Sequence, residues 1–192
     1  MMRALVVVSL LDVVGCGSKA PATSTNTTPT TPVVAAVPAD VTSWYVGTGD
    51  VLGMDGTVYV KDSPTLVERT VSPARKTITE TVYVAMQHAM VTSTLTQTAD
   101  PQVFEATDAL HSFSGTLTYD GDPWNPTGWT YDITLADNAG KITGTAKFGA
   151  DEISAEKLFT SGDGTPTARI VDVARKVSKE EFLARRKEVT GE

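Results

Sequence analysis

Tyr131-Asp132-Ile133-Thr134-Leu135, running on into Ala136-Asp137-Asn138-Ala139-Gly140, is the stretch on which the fold of this chain turns. In the first five residues apolar and polar side chains alternate strictly. Successive side chains of an extended chain point to opposite faces, so this is a strand with one buried side and one wet side. The residues that follow are a hairpin turn, because Asn and Gly tolerate the positive φ that tight turns require. A strand ending in so short a turn meets an antiparallel neighbour. Ser161-Gly162-Asp163-Gly164 repeats the signal further on.

Outward from this hairpin, runs rich in Val, Thr, Ile and Tyr recur between Gly, Pro, Asp and Asn. They predict strands over 41–47, 57–61, 66–71, 76–85, 90–97, 103–107, 113–119, 130–135, 142–148, 153–159 and 168–173. Short connections make the simplest topology an antiparallel, up-and-down meander, so the fold class is all-β. About ten strands in an open sheet would expose two edges, and closure into a barrel removes both. The interior of such a barrel is either filled by its own side chains or holds a small ligand, and the sequence leaves the two open.

The last element is helical. Ser178-Lys179-Glu180-Glu181 has the form of a capping box, with Ser178 as cap and Glu181 reaching back to it. Val177 and Phe182 stand where a hydrophobic staple would place them. The helix is expected from Lys179 to about Val189, with Phe182, Leu183 and Val189 as its apolar positions. A helix of this length is marginal alone in water, so it should dock on the barrel wall. Residues 40–168 carry 17 acids and 7 bases, whereas 169–192 carry 7 bases and 5 acids. The late Arg185-Arg186-Lys187 suits the negative end of the helix dipole and reads as a solvated face, not a nucleic-acid or membrane patch.

The other end of the chain holds its one cysteine, Cys16. Before it come Arg3, an apolar run over 4–11, and Val13-Val14-Gly15. A basic start, a short apolar core and a small residue before the cut form a secretory signal. The run is too short to span a bilayer, which needs about 20 apolar residues. The segment resembles a bacterial lipoprotein signal, whose lipobox ends in Gly/Ala-Cys. The resemblance implies removal of residues 1–15, a diacylglycerol thioether on Cys16 and acylation of its new amino terminus. It also implies a bacterial cell-envelope address and attachment to the membrane through the lipid. Gly17, where an aspartate would favour inner-membrane retention, implies the outer membrane. Lipidation further accounts for a lone thiol that would otherwise be a liability in an oxidising compartment.

Residues 17–39 are almost entirely Ser, Thr, Pro, Ala and Val, with Lys19 as the one charge, and cannot build a core. They read as an extended, disordered tether. The expected organisation is therefore a signal over 1–15, the lipidated Cys16 and a Thr/Pro-rich linker over 16–39, a barrel over 40–177 and a helix over 178–192.

An exported meander barrel with one flanking helix is similar in architecture to the calycin group, which includes the lipocalins. The likeness covers about 40–192. The lipocalin Gly-x-Trp signature is not met, because Thr42 stands two residues before Trp44 and Gly47 follows it. No ligand-binding residue is carried over. What the group implies is a barrel interior able to hold a small apolar molecule.

Catalytic patterns are missing. There is no Gly-x-Ser-x-Gly elbow, no phosphate-binding glycine loop and no His-Glu-x-x-His, and the chain holds two histidines. The acidic pairs Asp120/Asp122 and Asp151/Glu152 do not by sequence proximity set the carboxylate separation that glycoside hydrolysis needs. Asp120-Gly121-Asp122 has the wrong oxygen spacing for a calcium loop, and Pro126 stands where glycine is required, so a turn is the better reading. No enzyme, cofactor or resident metal is expected.

Two constellations stand out. In Met86-Gln87-His88-Ala89-Met90, a single strand would put Met86, His88 and Met90 on one face, a soft donor set suited to Cu(I). The competing reading is a hairpin turn whose methionines fill the core. The second constellation is Tyr119, Trp124, Trp129 and Tyr131 around a Pro/Gly-rich loop. An exposed indole there would stack on sugars or anchor a partner. Alternatively, Trp129 and Tyr131 cover the barrel mouth and Trp124 folds back onto them. The expected function is a lipid-anchored envelope module holding a small apolar ligand, reached near the 119–131 loop. The alternative is an interaction lipoprotein that docks an envelope protein or polysaccharide through that loop.

Overall fold

A computed structural model describes residues 38–191 of the chain. The predicted signal over 1–15, Cys16 and the linker up to residue 37 lie outside the described residues. Ten strands follow in order: β1 (Val41–Gly53), β2 (Val58–Ser72), β3 (Thr77–Val84), β4 (Ala89–Gln97), β5 (Val103–Asp108), β6 (Phe113–Asp120), β7 (Gly128–Leu135), β8 (Gly140–Phe148), β9 (Glu152–Ser161) and β10 (Pro166–Val177). Helix α1 (Lys179–Thr190) completes the fold.

Every strand pairs antiparallel with the next, and β10 returns to β1 from Trp44↔Val177 to Gly53↔Ala168. The sheet is a closed meander barrel in which every strand has a hydrogen-bonded neighbour on each side. The expected alternation holds in β7, where Tyr131 is buried while Thr130, Asp132 and Thr134 face solvent. The β7–β8 turn uses the predicted residues, with Asp137 and Asn138 at φ 56° and 55°. This turn, with those of β1–β2, β3–β4, β5–β6 and β9–β10, forms one end of the barrel, called here the upper end. The chain enters at Val41 and leaves at Val177 on the lower end, beside the β6–β7 loop that carries Trp124.

The predicted strands 57–61 and 66–71 are one strand, β2. Asp62-Ser63-Pro64 reads as a turn in the sequence but is a bulge in the structure. Asp62 takes φ 54°, its N–H donates to Asp50 Oδ1 at 2.9 Å, and the register against β1 shifts beyond Gly49. An extra residue bends a strand without ending its pairing.

Helix α1 begins as expected, with Ser178 Oγ accepting the Glu181 N–H at 3.2 Å. The Glu181 carboxylate, predicted to reach back to Ser178, pairs instead with Arg175. Gly191, at φ 77°, ends the helix by donating its N–H to Lys187 O. Phe182 is fully buried on the outer wall of the barrel against Leu66 and Tyr83, with Val177 and Val189 packed alongside. Leu183, predicted to share that apolar face, is exposed. One residue along a helix is a turn of about 100°, which carries Leu183 off the contact line.

Candidate functional site

The barrel interior is divided by one buried cation. Arg69 on β2 points inward and is 4% exposed. Its Nη1 donates to Glu80 Oε1 at 2.5 Å and its Nη2 to Tyr119 Oη at 3.2 Å. The guanidinium carbon lies 5.3, 5.0 and 5.2 Å from the ring centroids of Tyr119, Trp129 and Phe148. Burial works against its charge, but Glu80 and Tyr119 outweigh that, so its pKa is raised and it stays cationic. Burial likewise pushes the Tyr119 phenol well above its ordinary value, against the opposing pull of Arg69. Tyr45 is raised for the same reason, burial coming first.

Around Arg69 the aromatic rings interlock edge to face. Trp124 meets Phe104 at 5.6 Å between centroids, Phe104 meets Tyr119 at 5.0 Å, Tyr119 meets Trp129 at 5.8 Å, and Trp129 meets Phe148 at 4.5 Å. Such pairs add about 0.5–1.5 kcal/mol each beyond the area they bury. Together with Arg69 they form a plug across the barrel interior. A hollow on the lower side of Arg69 is lined by Tyr45, Trp124, Asn125 and Lys176, among others.

Above Arg69 the barrel is hollow. A cavity of about 290 Å³ is walled by Val82, Val84, Val91, Ile133, Leu135, Ile142 and further apolar side chains. Val84, Val91, Phe113 and Leu135 are inward residues next to the turns of the upper end, so the cavity reaches that end. Five of its lining residues are hydroxyl-bearing or charged aliphatic side chains: Thr65, Glu80, Ser93, Lys157 and Asp172. Lys157 Nζ lies 2.6 Å from Asp172 Oδ2, and Thr65 Oγ1 donates to Asp172 Oδ1 at 3.2 Å. The Tyr131 hydroxyl donates to Glu156 O at 3.3 Å. Burial, then the charges of Asp172, Glu156 and Glu80, raise its pKa far above the ordinary value.

The four aromatic residues singled out in the sequence thus gather in one region but play different parts. Trp129 and Tyr131 line the cavity. Tyr119 belongs to the plug beneath it. Trp124 is half-buried and folded onto Phe104, with its backbone N–H held by Asp122 Oδ1 at 3.0 Å. The expected way in near the 119–131 loop lies at the lower end, and the plug stands between that loop and the cavity.

The copper face does not form as an extended strand. Residues Ala85–Gln87 make a 3-10 turn between β3 and β4, and His88 follows it in the left-handed region at φ 49°. The His88 ring Nδ1 lies 3.4 Å from Tyr83 Oη, while Met90 pairs in register with Tyr83 and packs into the cluster beneath α1. The Met86 side chain lies outside what the structure describes. Among the described residues, no three of His, Cys, Asp and Glu come together as a metal-binding group.

Sequence reasoning missed Arg69, Glu80, Lys157 and Asp172. The signal for Glu80 was present: Ile78, Glu80 and Val82 share a phase, so a carboxylate sits in an inward row.

No family model and no curated protein matches this chain. Among solved structures it is similar to the vaccine antigen transferrin binding protein B of Haemophilus parasuis, at 16% identity and a TM-score of 0.34, over 74% of this chain and 27% of that one. The chain therefore spans about a quarter of that protein's length.

Proposed function

We propose that this protein is a lipid-anchored binding module of the bacterial cell envelope that holds a small apolar ligand in the upper half of its barrel. The observation that carries this reading is the apolar cavity of about 290 Å³. Ligand sites begin near about 300 Å³ and are mostly apolar, with a few polar groups that fix orientation. The cavity is equivalent to about ten water molecules by volume. A space walled by Val, Leu and Ile offers those waters few partners, so an apolar molecule gains by taking their place. The lipobox and the Thr/Pro-rich segment supply the anchor and the tether, with Cys16 carrying the lipid and the outer membrane as destination. A protein with three acyl chains stays attached, where one chain would hold only marginally.

Two measurements test this. Native mass spectrometry of the protein purified from its host should show a co-purifying, lipid-sized mass. An empty barrel together with a crosslinked partner chain would favour docking of an envelope protein instead. Cells grown with radiolabelled palmitate should label the protein, and Cys16→Ala should remove the label and release the protein from the membrane. An unlabelled, soluble product with residues 1–15 intact would overturn the anchor.

A further inference from the structure

The charges lining the cavity are already matched. Among the described residues that wall it, the charged side chains are Glu80, Lys157 and Asp172. Glu80 accepts from Arg69 at 2.5 Å, and Lys157 lies 2.6 Å from Asp172, whose second oxygen accepts from Thr65. The wall itself therefore holds one cation against two carboxylates, and Arg69 behind Glu80 balances the sum.

That arrangement discriminates among head groups. A carboxylate or phosphate brought inside would lose its hydration and find Lys157 committed to Asp172. It would also meet Asp172 and Glu80 as like charges, in a medium that screens poorly. A cationic head would in turn find both carboxylates engaged. An uncharged hydroxyl meets neither obstacle. An ammonium has three N–H donors, of which Asp172 takes one, so Lys157 can still donate to a hydroxyl oxygen. The carboxylate of Asp172 can accept the hydroxyl hydrogen, and Ser93 adds a further hydroxyl to the wall.

Resting on the ligand-carrier reading, we infer that the cavity takes a neutral amphiphile, an apolar body ending in an uncharged hydroxyl head, and rejects fatty acids and lipid phosphates. The polar anchor is the Lys157–Asp172 pair, not a free cation.

Displacement of an environment-sensitive naphthylamine dye from the full-length protein tests this. Competitors are a twelve-carbon alcohol and the carboxylic acid of equal length, at about pH 8 where the acid is ionised. The alcohol should displace the dye, and the acid should be weaker by about tenfold or more. Asp172→Asn removes the carboxylate that repels the acid and uncovers Lys157, so the preference for alcohol over acid should fall by about tenfold or more. An acid that competes as well as the alcohol in the wild-type protein overturns the inference and leaves the carrier reading standing. Failure of dye, alcohol and acid alike overturns both. The wild-type comparison decides even if Asp172→Asn fails to fold.

Discussion

Arg69 and Glu80 face each other in register on adjacent strands and join inside the barrel at 2.5 Å, with side chains 4% and 12% exposed. Removing one member of a buried pair strands the other charge, at a cost of about 3–5 kcal/mol, whereas replacing both with apolar residues of like volume is often neutral. Glu80→Leu should therefore destabilise the barrel by about 3–5 kcal/mol in urea denaturation, and Arg69→Met with Glu80→Leu should restore most of it. A double variant as unstable as the single one would show that the stranded guanidinium is not the cause.

Stability should also fall at alkaline pH. Burial raises the phenols of Tyr119 and Tyr131 above the ordinary value of 10. Since the folded values exceed the unfolded one, the native state holds protons that the unfolded chain releases. The associated stability is fully present below about pH 10 and is lost as pH rises towards the folded values. The urea midpoint should be level to about pH 9 and decline above about pH 10. Tyr131→Phe gives up one hydrogen bond, worth about 1 kcal/mol, but should make the alkaline decline shallower. An unchanged decline in that variant would place its origin elsewhere.

The strands, the hairpins and the capped helix were legible because each is specified by a few neighbouring residues. Period-two alternation marks β7, and Asp137-Asn138 marks its turn. Barrel closure followed from the need to pair two edges. Whether the interior is hollow was not legible, because it depends on side-chain volumes summed over all the strands. Lys157 and Asp172 stand 15 residues apart in sequence. They meet because Asp172 pairs in register with Ala155 and Lys157 with Ile170, which makes them diagonal neighbours on the inner face. The bulge in β2 was hidden because Asp62-Ser63-Pro64 has the composition of a turn and the geometry of a bent strand. Trp124 was ambiguous because its loop sequence does not say what it rests on. Phe104, which it meets edge to face, lies on β5, with the whole of β6 between them in the chain.

Helix α1 hangs on one side chain. Its other residues are mostly polar, and Phe182 is the one fully buried on the outer wall against Leu66 and Tyr83. Phe182→Ala should cost about 3–5 kcal/mol, or detach the helix and open its amides to hydrogen exchange. Ser178→Ala removes the cap alone and should cost about 1 kcal/mol, with the helix still docked. Equal effects from the two substitutions would refute the assignment of the anchor to Phe182.

Filling the cavity separates its role in binding from any role in stability. Ala155 on β9 lines the cavity beside Lys157. A space of about 290 Å³ has room for a phenyl ring there. Ala155→Phe should weaken dye binding by about tenfold or more while leaving the urea midpoint level or raising it, since the ring replaces empty space with contacts. If the interior were already packed, the same ring would strain its neighbours by about 1–3 kcal/mol. A lower midpoint with dye binding intact would mean that the dye sits elsewhere and that the barrel is solid where the ligand is placed.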